Sequence, residues 1–139
     1  MKQMLMLTMF AAIAVGCGNV RNGNAEQERV ETVGVVEFAA IVAQREDSLV
    51  SVQRGMRLLD VRTPEEYAGG HIAGAENIDL KAADFAERIK DIHDTVAVYC
   101  HSGRRSLVAA SQLAAQGCVI YNLDGGILAW QQAGCPVAR

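Results

Sequence analysis

Short apolar runs, set between longer stretches with helical period, constrain this chain more than any other feature. The runs are Val33–Val36, Arg57–Val61, Ala75–Ile78, Val96–Tyr99 and Val119–Leu123. Phe38, Ile41 and Val42 fall on one helical face, and Ala82, Phe85 and Ile89 on another. Leu107, Ala110 and Leu113 stripe a further helix that stops at Gly117, and the last helix runs from about Gly126 to just before Gly134. In Thr63-Pro64-Glu65-Glu66 the threonine can cap, the proline suits the first turn and Glu66 completes a capping box. Strands alternating with helices in this way predict parallel βαβ units. The expected architecture is a single three-layer α/β domain with a five-stranded, mainly parallel sheet flanked by helices.

Composition narrows the function. The 139 residues suit one domain, and 50% apolar content is enough for a core. Thirteen basic against sixteen acidic residues give a net charge of −3 without any block of like charge, which argues against a nucleic-acid binder. At 5% aromatic residues, a base-stacking platform is also excluded. The four cysteines, Cys17, Cys100, Cys118 and Cys135, are too few and too scattered for a disulfide scaffold. They form no C-x2-C pair or His/Cys cluster, so nothing points to zinc or to another cofactor.

The amino terminus reads as an address. Lys2 precedes an apolar run from Met4 to Val15, too short to span a bilayer and shaped like a signal peptide. The run ends in Ala14-Val15-Gly16-Cys17, which resembles the lipobox of bacterial lipoproteins. That resemblance implies cleavage before Cys17 and acylation of its thiol and new amino terminus. Two or more acyl chains suffice for stable anchoring. The expected organisation is a signal peptide over 1–16, a lipidated amino terminus and polar tether over 17–32, and the folded domain over 33–139. The implied destination is the bacterial cell envelope, as a membrane-anchored lipoprotein facing the periplasm.

The chemistry concentrates where Val96–Tyr99 ends. Cys100-His101-Ser102-Gly103-Arg104-Arg105-Ser106 leads from a strand tip into a helix. Ligands of open α/β sheets bind beyond this edge. Loop amides can point inward at the sulfur, and Gly103 permits the backbone geometry of a tight ring. The helix start, Arg104 and Arg105 add positive potential, and all of this favours thiolate over thiol at Cys100. By itself the pattern fits either an activated nucleophile or a buried cysteine beside two solvated arginines.

A wider set of residues resolves that choice. Leu58-Leu59-Asp60-Val61-Arg62-Thr63-Pro64-Glu65-Glu66-Tyr67, Gly70-His71-Ile72, the Cys100 loop and Leu123-Asp124-Gly125-Gly126-Ile127-Leu128-Ala129-Trp130 together resemble the single-domain rhodaneses, from about Val33 to Val137. The resemblance implies a sulfurtransferase in which Cys100 accepts a sulfane sulfur as a persulfide and passes it on. The donor implied is a small anion such as thiosulfate; the acceptor is thiophilic, cyanide or a thiol. Cys100 is then the catalytic residue, with His101, Ser102, Gly103, Arg104 and Arg105 binding the substrate. His101 stands where arginine is frequent in the family, which exchanges a permanent charge for a titratable one. Asp60 and Arg62 are expected to brace the loop by hydrogen bonds. His71, Trp130 and the Gly125-Gly126 pair are expected to serve packing and a close turn.

Two alternatives share this loop. One is a non-catalytic rhodanese-like binding or regulatory module. The other is a cysteine phosphatase, whose loop reads C-x5-R. Here Ser106 occupies that arginine position and the spacing is C-x4-R, too tight a ring for three equatorial phosphoryl oxygens. Cys118 and Cys135 each follow a glycine at a helix exit and should reach the same pole of the sheet. They are therefore candidates for a disulfide, or else for two buried small residues.

Overall fold

A computed structural model describes residues 29–45 and 55–139. The signal-peptide, Cys17 and most of the tether expectations lie outside the described residues.

Five strands, β1 (Val30–Val33), β2 (Arg57–Asp60), β3 (Glu76–Asn77), β4 (Thr95–Tyr99) and β5 (Val119–Leu123), form one sheet in the order β1-β5-β4-β2-β3. Every neighbouring pair is parallel. Among the described residues, five helices connect and flank them: α1 (Val35–Gln44), α2 (Pro64–Ala68), α3 (Phe85–Ile89), α4 (Arg104–Ala115) and α5 (Gly126–Gln132). The α/β expectation holds.

The central strand β4 shows why the sheet is covered twice. Val96 and Val98 pack with α3 and α4, whereas Ala97 and Tyr99 pack with α1 and α5. Alternate side chains of a strand point to opposite faces, so a run of apolar residues needs a helical layer on each. Thr63 caps α2 as expected: its Oγ1 accepts the Glu66 N–H and Glu66 Oε2 accepts the Thr63 N–H.

Three expectations need correction. The first strand starts at Val30, and Val35 already begins α1, so the folded body opens within the segment assigned to the tether. The cause is that β1 is an edge strand. Glu31 and Thr32 face solvent and only Val33 is buried, leaving no apolar run to see. In α4 the buried stripe is Ser106, Ala109, Ala110, Leu113 and Ala114, while Leu107 is exposed. Small residues on this face let the helix lie close to the sheet. Finally, Cys118 and Cys135 are both free thiols. Cys118 is buried on the α3–α4 face, donating to Ile92 O at 3.1 Å, while Cys135 packs with the α1–α5 layer. The sheet separates them, because α4 and α5 leave the same edge on opposite faces.

Candidate active site

The loop from Cys100 to Gly103 follows β4 directly and delivers the chain into α4. Cys100 continues the parity of Val96 and Val98, and its side chain is buried on the α4 side. Gly103 adopts φ +99°, a left-handed conformation open to glycine, and turns its N–H toward the sulfur at 3.1 Å. The Ser106 hydroxyl lies 3.4 Å from the same Sγ.

These contacts decide the electrostatics. Burial pushes the Cys100 thiol up, but the Ser106 hydroxyl and the amides of Ser106, Gly103 and Ser102 more than offset it, leaving the group below the ordinary thiol value. Hydrogen bonds to the charged form favour that form. The result is a thiolate-prone cysteine at the carboxyl edge of the sheet, where nucleophiles of α/β folds are exposed to ligands.

The loop is braced from behind by α5. Ile127 N–H donates to Cys100 O at 2.9 Å and Leu128 N–H to His101 O at 3.2 Å. Gly126 makes this possible: a Cβ there would stand 2.5 Å from both carbonyl oxygens. The Gly125-Gly126 pair thus serves a close approach, as expected, and the approach is to the reactive loop itself. Trp130, also on α5, packs edge-on against Phe38 and donates its Nε1–H to Pro136 O at 2.9 Å, which makes it a core residue.

The remaining residues divide. His101, Ser102 and Arg104 are exposed at the mouth, free to meet an incoming ligand. Arg105 is half-buried and already engaged: its two terminal nitrogens donate to Glu66 Oε1 and Oε2, both at 2.8 Å. Its guanidinium holds the Glu66 carboxyl down to about 2. Glu66 therefore caps α2 and grips α4 at once, a role that sequence reading confined to the cap.

Asp60 and Arg62 do not brace the Cys100 loop. Arg62 donates to Asp60 through Nε and Nη2, and its Nη2 also donates to Gly70 O at 2.7 Å. The pair fixes the Gly70 turn instead, because the guanidinium is taken up by Asp60 and Gly70 O and lies over the Tyr99 ring. Tyr99 completes this dry corner, accepting the Ile72 N–H on its hydroxyl at 3.0 Å. His71 is structural, as expected: its Nδ1 donates to Tyr67 O at 3.0 Å and its ring stacks on Tyr67 at 3.8 Å.

Ser106 is the residue against the sulfur that sequence reading missed. It was counted only as the position where a phosphatase would carry arginine. The available signal was helical: one turn past the loop glycine, the third residue of α4 faces back into the ring.

Comparison with known proteins gives the family. The family model described as Rhodanese-like domain matches residues 42–133. The uncharacterized protein YqhL of Bacillus subtilis is 35% identical over 133 residues, covering 94% of each chain. Thiosulfate sulfurtransferase GlpE of Pseudomonas fluorescens is 40% identical over 81 residues, which is 57% of this chain and 73% of that protein. Among solved structures, a rhodanese-related protein from Thermoplasma volcanium superposes with a TM-score of 0.63 at 27% identity, over 78% of this chain and 97% of its own. A thiolate-prone cysteine in a strand-to-helix loop, a family model covering most of the described body and a relative aligned along nearly the whole length lead to one assignment: the chain belongs to the rhodanese-like family.

Proposed function

We propose that this chain is a sulfurtransferase that carries a sulfane sulfur on Cys100. The observation that supports it most is the sulfur's setting: buried, bonded by the Gly103 N–H and the Ser106 hydroxyl, and held below the ordinary thiol value. In the loading step the Cys100 thiolate attacks the sulfane sulfur of thiosulfate. A new S–S bond forms to Sγ, the donor's S–S bond breaks, and sulfite leaves with the electron pair. The persulfide's charge then sits on the outer sulfur, at the loop mouth beside the Ser102 amide, His101 and Arg104. A thiolate or cyanide attacks that outer sulfur and the electron pair returns to Sγ. Neither step needs a proton shuttle of the Ser/His/Asp kind.

The test is incubation of the reduced protein with thiosulfate followed by mass spectrometry of the Cys100 peptide. The expected result is a gain of one sulfur atom, absent in Cys100→Ala, together with thiocyanate release on adding cyanide. A folded, reduced chain that takes up no sulfur would instead be a binding module. Phosphatase activity is expected to be negligible, since the ring is one residue short and Arg105 is held by Glu66. Aryl-phosphate turnover that disappears in Cys100→Ser would overturn the assignment.

The lipobox-like Ala14-Val15-Gly16-Cys17 supports a further part of the reading, export and anchoring in the cell envelope through a lipid on Cys17. Fatty-acid labelling of the chain that is lost in Cys17→Ser is the expected outcome.

A further inference from the structure

One hydroxyl faces two acceptors. Ser106 Oγ lies 3.1 Å from Gly103 O and 3.4 Å from Cys100 Sγ. A serine carries a single hydroxyl proton, so it serves one acceptor fully at a time. Ser106 is fully buried, which keeps solvent from supplying a substitute donor to either acceptor. The Leu107 N–H also donates to Gly103 O, at 3.3 Å, so that carbonyl keeps a partner when the hydroxyl turns away. No equivalent flexibility exists in the amides that face the sulfur, because N–H groups such as that of Gly103 are fixed by the backbone.

We propose that Ser106 is a catalytic residue whose hydroxyl turns between the Gly103 carbonyl and the Cys100 sulfur as charge on that sulfur comes and goes. The proposal rests on the sulfur-transfer reading of Cys100. During loading, Sγ gives its electron pair to the new S–S bond, the charge moves to the outer sulfur, and the hydroxyl returns to Gly103 O. During discharge, the acceptor thiolate bonds to the outer sulfur, the Cys100 S–S bond breaks, and the pair returns to Sγ. The hydroxyl then swings onto the developing thiolate. A hydrogen bond to an ionised acceptor is stronger than one to a neutral acceptor, so the contact tightens as the bond breaks. Interactions that strengthen toward the transition state raise the rate. The proton stays on Ser106 throughout.

The same placement explains why serine suits this position in a ring closed at C-x4-R. The phosphatase-type loop would put an arginine there to meet several oxygens. A buried hydroxyl addresses one sulfur atom and adds no charge that would compete for the incoming anion.

The test compares Ser106→Ala with Ser111→Ala in the full chain. Ser111 makes the same kind of helical back-bond, to Leu107 O at 3.1 Å, on the exposed side of α4 and away from the sulfur. Alanine is the best helix former and the Leu107 N–H still serves Gly103 O, so α4 should persist in Ser106→Ala. Two quantities are read: the pH midpoint of Cys100 alkylation by iodoacetamide, followed on the Cys100 peptide, and the rate at which cyanide discharges the persulfide. In Ser106→Ala the midpoint should rise by about one pH unit and discharge should slow by about tenfold, the effect of one hydrogen bond to an ionised group. Ser111→Ala should match the parent chain in both. An unchanged midpoint or discharge rate in Ser106→Ala, or an equal change in Ser111→Ala, overturns the proposal. Alkylation needs no sulfur donor; a parent chain that accepts no sulfur from thiosulfate overturns the sulfur-transfer reading itself, whatever Ser106→Ala does to the midpoint.

Discussion

Arg62 and Arg105 each close a fork on a carboxylate, one in the dry interior and the other at the mouth of the Cys100 loop. The Arg62–Asp60 side chains are 5% and 0% exposed, whereas Arg105 and Glu66 are 22% and 32% exposed. The chemistry is the same, and burial separates the consequences. In the interior neither charge has water to fall back on, so Asp60 depends on Arg62, and Arg62 on Asp60 and Gly70 O. At the mouth, solvent screens the pair and lets it loosen. A dry fork fixes a fold, and a wet one can be adjusted.

The comparison is broken or sharpened by removing one partner from each fork. Arg62→Ala leaves Asp60 buried without its partner and should destabilise the protein by about 3–5 kcal/mol, read from urea unfolding. A loss no larger than that of an exposed pair would erase the contrast. Glu66→Gln preserves the capping box but releases the Arg105 fork, and should cost less than about 1 kcal/mol. The freed guanidinium then faces the loop, so the KM for thiosulfate should fall, by no more than about fivefold, with the difference shrinking as salt is added. An unchanged KM at low ionic strength would mean that Arg105 has no part in meeting the donor.

The smallest effect concerns pH. Arg105 holds the folded-state Glu66 carboxyl at about 2, below its ordinary 4.5. A depressed carboxyl contributes stability that is fully present above the ordinary value and is lost as pH falls from there toward 2. Since a third of the Glu66 side chain is exposed, the contribution should be under about 1 kcal/mol after screening. In Glu66→Gln, stability should fall less steeply over that acidic window than in the parent chain; identical slopes would place the pair among those that contribute nothing measurable.

Much of this molecule was legible in its residues. β4 is a run of apolar residues buried on both faces, and the Thr63 capping box is local, so both could be read without tertiary knowledge. The Cys100 loop was legible for the same reason: strand, glycine and arginines follow one another. β1 was displaced because an edge strand with Glu31 and Thr32 in solvent has the composition of a tether. The Arg105–Glu66 fork joins residues far apart in sequence, and Arg62 was assigned to the wrong loop because its direction depends on the Gly70 turn. Of the two readings open for Cys118 and Cys135, the disulfide fell on handedness: sequence places both helix exits at one pole but does not say which face of the sheet each helix takes. Ser106 required knowing that the first turn of α4 curls back over the sulfur.

The backing of the Cys100 and His101 carbonyls by the amides of Ile127 and Leu128 has a consequence for timing. Until the last helix docks, the Cys100 and His101 carbonyls lack these two donors, and Gly126 is what lets the first amides of α5 come close enough to supply them. Packing of the final helix and completion of the reactive loop are therefore one event in folding.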